Sequence, residues 1–239
     1  MDKAESSSTL ETSSKVVLIS GKAGAGKSTL AKKIIERLES SNGVRAVNFK
    51  FAESIYAMHD YCLGYLKTSK VEVKTDKDGE LLQLLGLWGR EKYGENVWVG
   101  CAKARLSKLE TNLKNAFKNL FFINDDTRFK NELEAFPNAL RIRLECYKDA
   151  RKARCHSWRD NEMHPSEIDL DDWVFAPGKF DMIFNTNVDS PDHCATLILA
   201  QLDKNVWLEK RNNFLTAEAK LGIGPGATNT ENKTHEGMP

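Results

Sequence analysis

Short runs of apolar residues alternate along the chain with longer segments in which apolar positions recur at helical spacing. The short runs predict buried strands at Lys15 to Ser20, Val44 to Phe51, Leu120 to Asn124, Ala139 to Leu144 and Phe180 to Asn185. The longer segments predict helices at Lys27 to Ser40, Ala52 to Leu66, Asn96 to Phe117, Phe129 to Phe136 and Pro191 to Leu208. Because strands that alternate with helices build covered parallel sheets, we predict an α/β fold, a three-layer sandwich around a parallel sheet of five strands.

Two neighbouring stretches fit this alternation less well. Residues 67–79 are too polar for a core, which predicts a small hairpin or an excursion from the sheet. The stretch LLQLLGLWGRE follows, and we interpret its leucines as core residues. They are Leu81, Leu82, Leu84 and Leu85.

The two ends of the chain show little apolar periodicity. Residues 1–14 are rich in serine and threonine, and glycine, proline, threonine and asparagine dominate towards the C-terminus. Such segments bury too little apolar surface to offset the entropy of ordering. We therefore predict one domain over residues 15–210 between two disordered tails, residues 1–14 and 211–239.

Composition and charge narrow the class of protein. The 35 Lys and Arg residues against 34 Asp and Glu residues give a net charge of +1, so a broad basic field for nucleic acid is missing, although nucleic acid is not excluded as a partner. The five cysteines form no C-x-x-C pair, which argues against a disulfide framework or a zinc site. We find neither a secretory signal pattern nor a membrane-spanning apolar run, and expect a cytoplasmic protein with no membrane contact.

The strongest motif is GKAGAGKS, from Gly21 to Ser28, a full match to G-x-x-x-x-G-K-[ST] between a predicted strand and a predicted helix. Backbone N–H groups in such a loop surround phosphate oxygens, and the helix presents its positive end. We predict that Lys27 reaches the β- and γ-phosphates of ATP and faces solvent in the empty site, and that Ser28 binds Mg²⁺. The predicted ATP-binding residues are Gly21, Ala23, Gly24, Ala25, Gly26, Lys27, Ser28 and Thr29.

A second polar motif, Asp125-Asp126-Thr127-Arg128, follows the third predicted strand. Ligands of open α/β sheets bind at the carboxyl ends of the strands. We predict Asp125 as a Mg²⁺ ligand, Asp126 as a catalytic residue, and Arg128 as a catalytic and monophosphate-binding residue. A turn held by a surface ion pair stays open as the alternative.

Basic residues crowd the polar stretch after the fourth predicted strand. Phosphoryl transfer depends on positioning and charge stabilisation, so cations that close over the reacting group are expected there. We predict a small lid over residues 148–165, with Arg151 and Arg154 as catalytic residues on one helical face. A solvated charged face is the alternative for each of them.

Further substrate contacts rest on weaker signals. In His164-Pro165-Ser166-Glu167, Ser166 is suited to cap a helix, His164 to contact substrate, and Glu167 to bond a base or sugar. Spacing alone points to Gln83 and Arg90 as further candidates for substrate binding.

Taken together, these residues resemble the deoxynucleoside monophosphate kinases of tailed phages, within the nucleoside monophosphate kinase superfamily. The resemblance runs from about Lys15 to Leu208 and rests on GKAGAGKST, KFAESIY, LLQLLGLWGRE, NVWV, NDDTRF with NEL, HPSEIDL and FDMIFNT. It implies a Rossmann-like P-loop kinase sandwich with a lid, donor-phosphate binding that includes Thr29, Asp126 and Arg128 facing the acceptor phosphate, and a viral origin in a host cytoplasm. It also implies acceptor-pocket roles for Gln83, Arg90 and Glu167. Tyr56 stands where the family often has a lysine, and Lys50 is a substitute.

Three functions follow as hypotheses. The first is a kinase that transfers the ATP γ-phosphoryl group to a free deoxynucleoside monophosphate, working with Mg²⁺ and compatible with a homodimer. The second is a P-loop kinase that phosphorylates a hydroxymethylated pyrimidine within phage DNA, which would need stacking aromatics such as Trp88, Trp98, Trp158 and Trp173. The third is a nucleotide-binding switch, which needs no second phosphate site.

Overall fold

A parallel sheet of five strands forms the centre of the molecule. The computed structural model describes residues 15–73, 75–155 and 163–203. Residues up to Ala200 belong to one compact unit, and of the second unit, Gln201–Pro239, only Gln201 to Asp203 are described. The strands are β1 (Lys15–Ser20), β2 (Val44–Phe49), β3 (Asn119–Thr127), β4 (Leu140–Glu145) and β5 (Met182–Asn185), in the order β2-β3-β1-β4-β5. The predicted three-layer α/β sandwich is confirmed.

Helices connect the strands on both faces of the sheet. They are α1 (Lys27–Glu39), α2 (Glu53–Thr68), α3 (Gly79–Tyr93), α4 (Val97–Leu113), α5 (Lys130–Glu134), α6 (Lys148–Arg154), α7 (Pro165–Ile168) and α8 (Pro191–Asp203), with a 3-10 helix at Asp172–Phe175. The predicted strands and helices all appear within a few residues of their expected bounds, and the end predicted for the last helix lies outside the described residues. No helix among the described residues has the length and apolar character needed to cross a membrane.

Alternation along the strands divides the core between the two faces. Val16 and Leu18 of β1 join Phe122 of β3 and the buried side of α4, including Val99 and Leu106, in one apolar cluster. Val17 and Ile19 point to the opposite face, where α1 packs across β2 and β3. Both faces of β1 are therefore covered, which explains its continuous apolar run.

Helix α3 was not predicted, and its leucines are not core residues. Leu84 is exposed and Leu81, Leu82 and Leu85 are half-buried, so the core interpretation was wrong. The helix docks through its glycines instead: the indole of Trp98 donates to the Gly86 carbonyl at 3.0 Å, and a Cβ on Gly89 would lie 2.1 Å from the same ring. Close approach of α3 to α4 left these leucines on the outer side.

The polar stretch at residues 67–79 is the connection between α2 and α3, and its described residues contain no strand. Its end is fixed by buried His59 of α2, whose Nε2 accepts the Asp78 backbone N–H at 2.9 Å. Asp78 then caps α3 by accepting from the N–H groups of Glu80 and Leu81. The stretch is therefore an excursion rather than a hairpin.

Candidate active site

The candidate site lies along the edge formed by the carboxyl ends of the strands. The phosphate loop follows β1, Lys50 follows β2, Asp125 to Arg128 end β3, and α6 follows β4. In parallel sheets all these ends meet at one edge, and that edge is where ligands of open α/β folds bind. The topology thus brings together motifs that are more than 100 residues apart.

The phosphate loop has the backbone conformation that its glycines allow. Gly24 has φ +78°, and a Cβ there would lie 2.6 Å from the Arg151 carbonyl oxygen. Only glycine accommodates both constraints. Helix α1 begins at Lys27, so its N-terminal N–H groups point into the loop, as an anion site requires.

Lys27 is buried within its own loop. Its ammonium group donates to the carbonyl oxygens of Gly21 at 2.5 Å and Lys22 at 3.0 Å. Burial and then the positive charge of Arg128 lower the pKa of Lys27 to about 7. The expectation that this lysine faces solvent was wrong, because nearby carbonyls satisfy the ammonium group where no phosphate does so.

Glu167 joins the loop to Arg128. One carboxylate oxygen accepts the Ala23 N–H at 2.9 Å, and the other forms an ion pair with the Arg128 guanidinium. Arg128 also donates to the Ser166 carbonyl at 3.3 Å. Burial acts to raise the pKa of Glu167, but Arg128 and the Ala23 N–H together hold it below its ordinary value. The carboxylate is therefore ionised and binds the phosphate loop. The base or sugar contact expected for Glu167 stays a prediction.

Asp125 and Ser28 form an oxygen-rich pair at the start of α1. The Asp125 carboxylate accepts from the Ser28 hydroxyl and from Lys50 at 2.8 Å. Burial acts to raise the pKa of Asp125, but these hydrogen bonds hold it below its ordinary value. A hydroxyl and an ionised carboxylate are hard oxygen ligands of the kind that Mg²⁺ takes together with substrate phosphates, so the residues fit this ion. The described residues hold no cluster of three or more His, Cys, Asp or Glu side chains suited to a metal.

Asp126 binds backbone groups of the turn after β2. Its carboxylate accepts the N–H groups of Phe51 at 3.0 Å and Ala52 at 3.1 Å, just before α2, and the Asn124 amide at 2.7 Å. Burial raises the pKa of Asp126 despite these bonds. The geometry gives this residue a positioning task for α2, beside the catalytic role predicted for it.

Arg90 packs against Phe129 and the buried side chain of Glu132. Its guanidinium stacks on the Phe129 ring at 3.7 Å and lies 3.7 Å from Glu132, while its Nε is buried without a hydrogen-bond partner. Glu132 accepts the backbone N–H groups of Arg128 and Phe129 at 2.7 and 3.0 Å. Burial and then the charge of Asp126 raise the pKa of Glu132 to about 8. Gln83 lies two helical turns before Arg90 on α3.

The predicted lid begins with α6, and its two chosen arginines differ. Arg151 is buried and donates to the carbonyl oxygens of Ala23 at 3.2 Å and Cys146 at 3.3 Å. Arg154 is exposed and donates to the Thr186 carbonyl at 3.0 Å. Arg151 thus fixes the shape of the phosphate loop from below. Residues 156–162, including Arg159 and Trp158, lie outside the described residues.

His164 begins helix α7. Its ring Nδ1 accepts the Ser166 N–H at 3.2 Å, and burial lowers its pKa. The cap predicted for Ser166 is therefore made by His164. A substrate contact by this side chain stays a prediction.

A cavity of about 200 Å³ opens beside the end of the loop opposite Ala23. It is lined at the loop by Gly26 and Thr29 and on its far side by Arg154, Thr186 and Asp189. The size and position suit a nucleoside whose phosphates extend along the loop. Thr186 and Asp189 were missed in the sequence, although they directly follow the last predicted strand.

Two further residues that hold the site were also missed. Buried Asn124 accepts from Asp126 N–H and the Thr127 hydroxyl and donates to the Phe49 carbonyl. Asp171 pairs with Lys22 of the loop at 2.8 Å and with Arg143 at 3.0 Å. A polar residue inside an apolar strand was the available signal for Asn124, whereas Asp171 gave none.

Comparisons with known proteins find likeness in part of the sequence and in the fold. A family model described as "Nephrocystin 3, N-terminal" matches residues 1–65, and no curated protein matches the chain. The tunicamycin resistance protein of Deinococcus radiodurans is similar in structure, with 14% identity and a TM-score of 0.45 over 80% of this chain and 96% of that chain. Shikimate kinase from Acinetobacter baumannii shows 15% identity and a TM-score of 0.39 over 81% and 95%. A sugar kinase from Janibacter sp. shows 12% identity and a TM-score of 0.38 over 80% and 96%.

Proposed function

We propose that the protein is an ATP-dependent phosphotransferase whose acceptor is a free deoxynucleoside monophosphate. The observation that carries the proposal is that Glu167 joins the Arg128 guanidinium to the N–H of Ala23 in the phosphate loop, whereas the nucleoside-sized cavity lies beside Gly26 and Thr29. A triphosphate bound from that cavity along the loop ends beside this guanidinium. A cation at that end is suited to the group that is transferred.

The donor side is supported by the loop and the start of α1. Phosphate oxygens would replace the carbonyl partners of Lys27, and the positive charge of the phosphate-bound lysine would be restored because an adjacent anion raises a lysine pKa. Ser28 and Asp125 would hold Mg²⁺, which bridges phosphate oxygens and neutralises their charge when bound.

The acceptor side is supported by the cations that border β2 and β3. Arg128, Arg90 and Lys50 all lie on that side of the loop, and each has an acidic partner that a phosphate oxygen would replace. A monophosphate placed among them would present its oxygen in line with the terminal phosphoryl group of ATP. A nucleotide switch has no use for this second set of cations.

The tryptophans that the structure describes favour a free nucleotide over a DNA acceptor. Trp98 and Trp173 are buried in the protein and therefore not available to stack on extruded bases. Trp88 is partly exposed but already contacts Tyr93 at a ring distance of 5.6 Å. The net charge of +1 also gives little of the positive charge that binding a DNA strand requires.

Labelled ATP decides between these functions. The full chain would be incubated with Mg²⁺ and labelled ATP, together with each free deoxynucleoside monophosphate or with a duplex that contains hydroxymethylated pyrimidine. We expect label on at least one free monophosphate. Label on the duplex alone would establish the DNA kinase, and ATP binding without any labelled acceptor would leave the switch.

A further inference from the structure

The sequence around Glu167 does not explain where its side chain lies. Its carboxylate holds the Ala23 N–H and the Arg128 guanidinium at the same time, and it is buried against the phosphate loop. These two partners are a backbone donor of an anion-binding loop and the cation at its far end. The carboxylate thus binds as the terminal phosphoryl group of a donor would.

We propose that Glu167 occupies the position that a terminal phosphoryl group takes at the loop, and that nucleotide binding displaces it and releases Arg128 to the transferred group. The inference rests on the proposed function. It makes Glu167 a positioning residue that acts through Arg128, and it replaces the acceptor-binding role expected from sequence.

Neighbouring contacts support displacement of Glu167 rather than its permanent attachment. The loop stays shaped without it, because Arg151 binds the Ala23 carbonyl and Lys22 pairs with Asp171. A second anion at Ala23 would be repelled by the ionised carboxylate, so the two anions exclude each other. A carboxylate that binds Arg128 first and leaves later keeps this cation paired until the phosphoryl group replaces it.

The test uses tripolyphosphate as a probe that has no base or sugar. We expect Glu167→Gln to bind tripolyphosphate about three- to tenfold more tightly than wild type, since a competing negative charge is removed. Turnover at saturating substrates should stay within about threefold of wild type, because Glu167 has already left Arg128 when both nucleotides are bound, and KM for the acceptor should change little.

Asp172→Asn is the matched control. It removes one negative charge from the same segment of the chain, where Asp172 pairs with Lys130 and not with the phosphate loop, and we expect its tripolyphosphate affinity to stay within twofold of wild type. Weaker or unchanged tripolyphosphate binding by Glu167→Gln, or a raised acceptor KM with normal turnover, would overturn the inference. Absence of triphosphate binding by wild type would instead reject the proposed function.

A separate observation concerns the outer side of α2 and α3. Tyr61, Tyr65, Leu84, Leu87 and Trp88 expose 76%, 66%, 63%, 56% and 40% of their surface. Tyr61, Leu84 and Trp88 line an apolar groove of about 620 Å³ between the two helices. We call this region the α2–α3 surface.

We infer that a second copy of the chain covers the α2–α3 surface. These side chains expose roughly 600 Å² of apolar area, at the upper end of what monomers show and close to the ~800 Å² that each partner of a standard interface buries. Tyr65 lies one helical turn after Tyr61 on α2 and beside the groove, so a two-fold axis lets Tyr65 of each copy enter the groove of the other. A net charge of +1 adds little repulsion between copies.

Sedimentation of the full chain over a wide concentration range tests this. We expect a dimer for wild type, a monomer for Leu84→Glu, and a dimer for the control Leu197→Glu, which changes a leucine that is 40% exposed on α8. Exposed Cys62 at the groove should cross-link between copies with a short bismaleimide. A wild-type monomer at every concentration, or a dimer that survives Leu84→Glu, would overturn the inference.

Discussion

The sheet edge that carries the phosphate loop, here called the phosphate edge, differs from the α2–α3 surface in which side chains it buries and which it exposes. At the phosphate edge, charged groups are buried and almost every one has a partner from a distant part of the chain, as with Glu167 and Arg151 at Ala23. At the α2–α3 surface, large apolar side chains are exposed with no such network. The first region is organised before its ligand arrives, whereas the second keeps apolar area for an association that follows folding.

The largest expected effect concerns Lys27, which distinguishes chemistry from stability at the phosphate edge. Lys27→Ala should reduce turnover roughly a hundredfold or more, because the positive charge of Lys27 beside the β- and γ-phosphate oxygens is lost. The thermal midpoint near pH 7 should hold or rise, since a buried ammonium is removed. Steady-state assays and thermal melts measure both quantities, with Lys22→Ala as the neighbouring control. Turnover within a few-fold of wild type would reject the assignment.

Arg128→Ala should weaken acceptor binding more than ATP binding and lower turnover by about a hundredfold. The guanidinium lies between the loop and the acceptor side, and its charge is assigned to the groups that react rather than to the nucleoside. Calorimetric titration of both nucleotides measures the difference. The exposed pair of Lys130 with Asp172 supplies the control Lys130→Ala. Equal loss for both nucleotides would place Arg128 in the donor site or give it a purely structural role.

The adjacent carboxylates should separate into one that acts on the ion and one that acts on the fold. Asp126→Ala should lower the free energy of unfolding by about 1–3 kcal/mol, since the N–H groups of Phe51 and Ala52 lose their acceptor. Asp125→Asn should instead raise the Mg²⁺ concentration needed for turnover. Denaturant melts and Mg²⁺ titrations measure these effects. A normal melt for Asp126→Ala would contradict its positioning task.

Glu132 should make stability fall as pH rises. Its pKa is raised from 4.5 to about 8 in the folded chain, so its contribution is full below about pH 4.5 and is lost progressively up to pH 8. Lys27, lowered to about 7, acts oppositely but only above neutrality, which leaves pH 5–7 as the window to examine. Glu132→Gln keeps an acceptor for the Arg128 and Phe129 N–H groups and should flatten the pH profile of denaturant unfolding by about 1–3 kcal/mol. A slope equal to wild type would argue against a neutral Glu132.

The smallest expected effect belongs to the α2–α3 surface. Tyr65→Ser should leave turnover within about twofold and the thermal midpoint of the monomer within a few degrees, since the side chain buries little in one copy. Assays at low protein concentration measure it. A large loss there would show that this surface supports the site directly.

The sequence predicted the sheet well because buried strands and the phosphate loop carry local signals. Val16 to Ile19 form one apolar run, and the loop glycines determine their own conformation. Helix α3 was missed because it packs against Trp98 through Gly86 and Gly89, while its leucines lie on the outer side. Its apolar positions therefore do not mark a core face. The burial of Lys27 and the contact of Glu167 with Ala23 were not predicted, because pairing with carbonyl and amide groups depends on tertiary approach, which spacing along the chain does not encode.

The central place of β1 has a consequence for how the protein is made. Its neighbours β3 and β4 lie about a hundred residues further along the chain, and Ser20 donates to the Ile142 carbonyl across 122 positions. Contacts of such long range form late and slowly. A ribosome that has released only the first hundred residues has exposed the whole phosphate loop but neither of the strands that flank it. Nucleotide binding should therefore appear abruptly during synthesis, after β4, β5 and Asp189 have emerged, and chains truncated before Thr186 should remain unable to bind ATP.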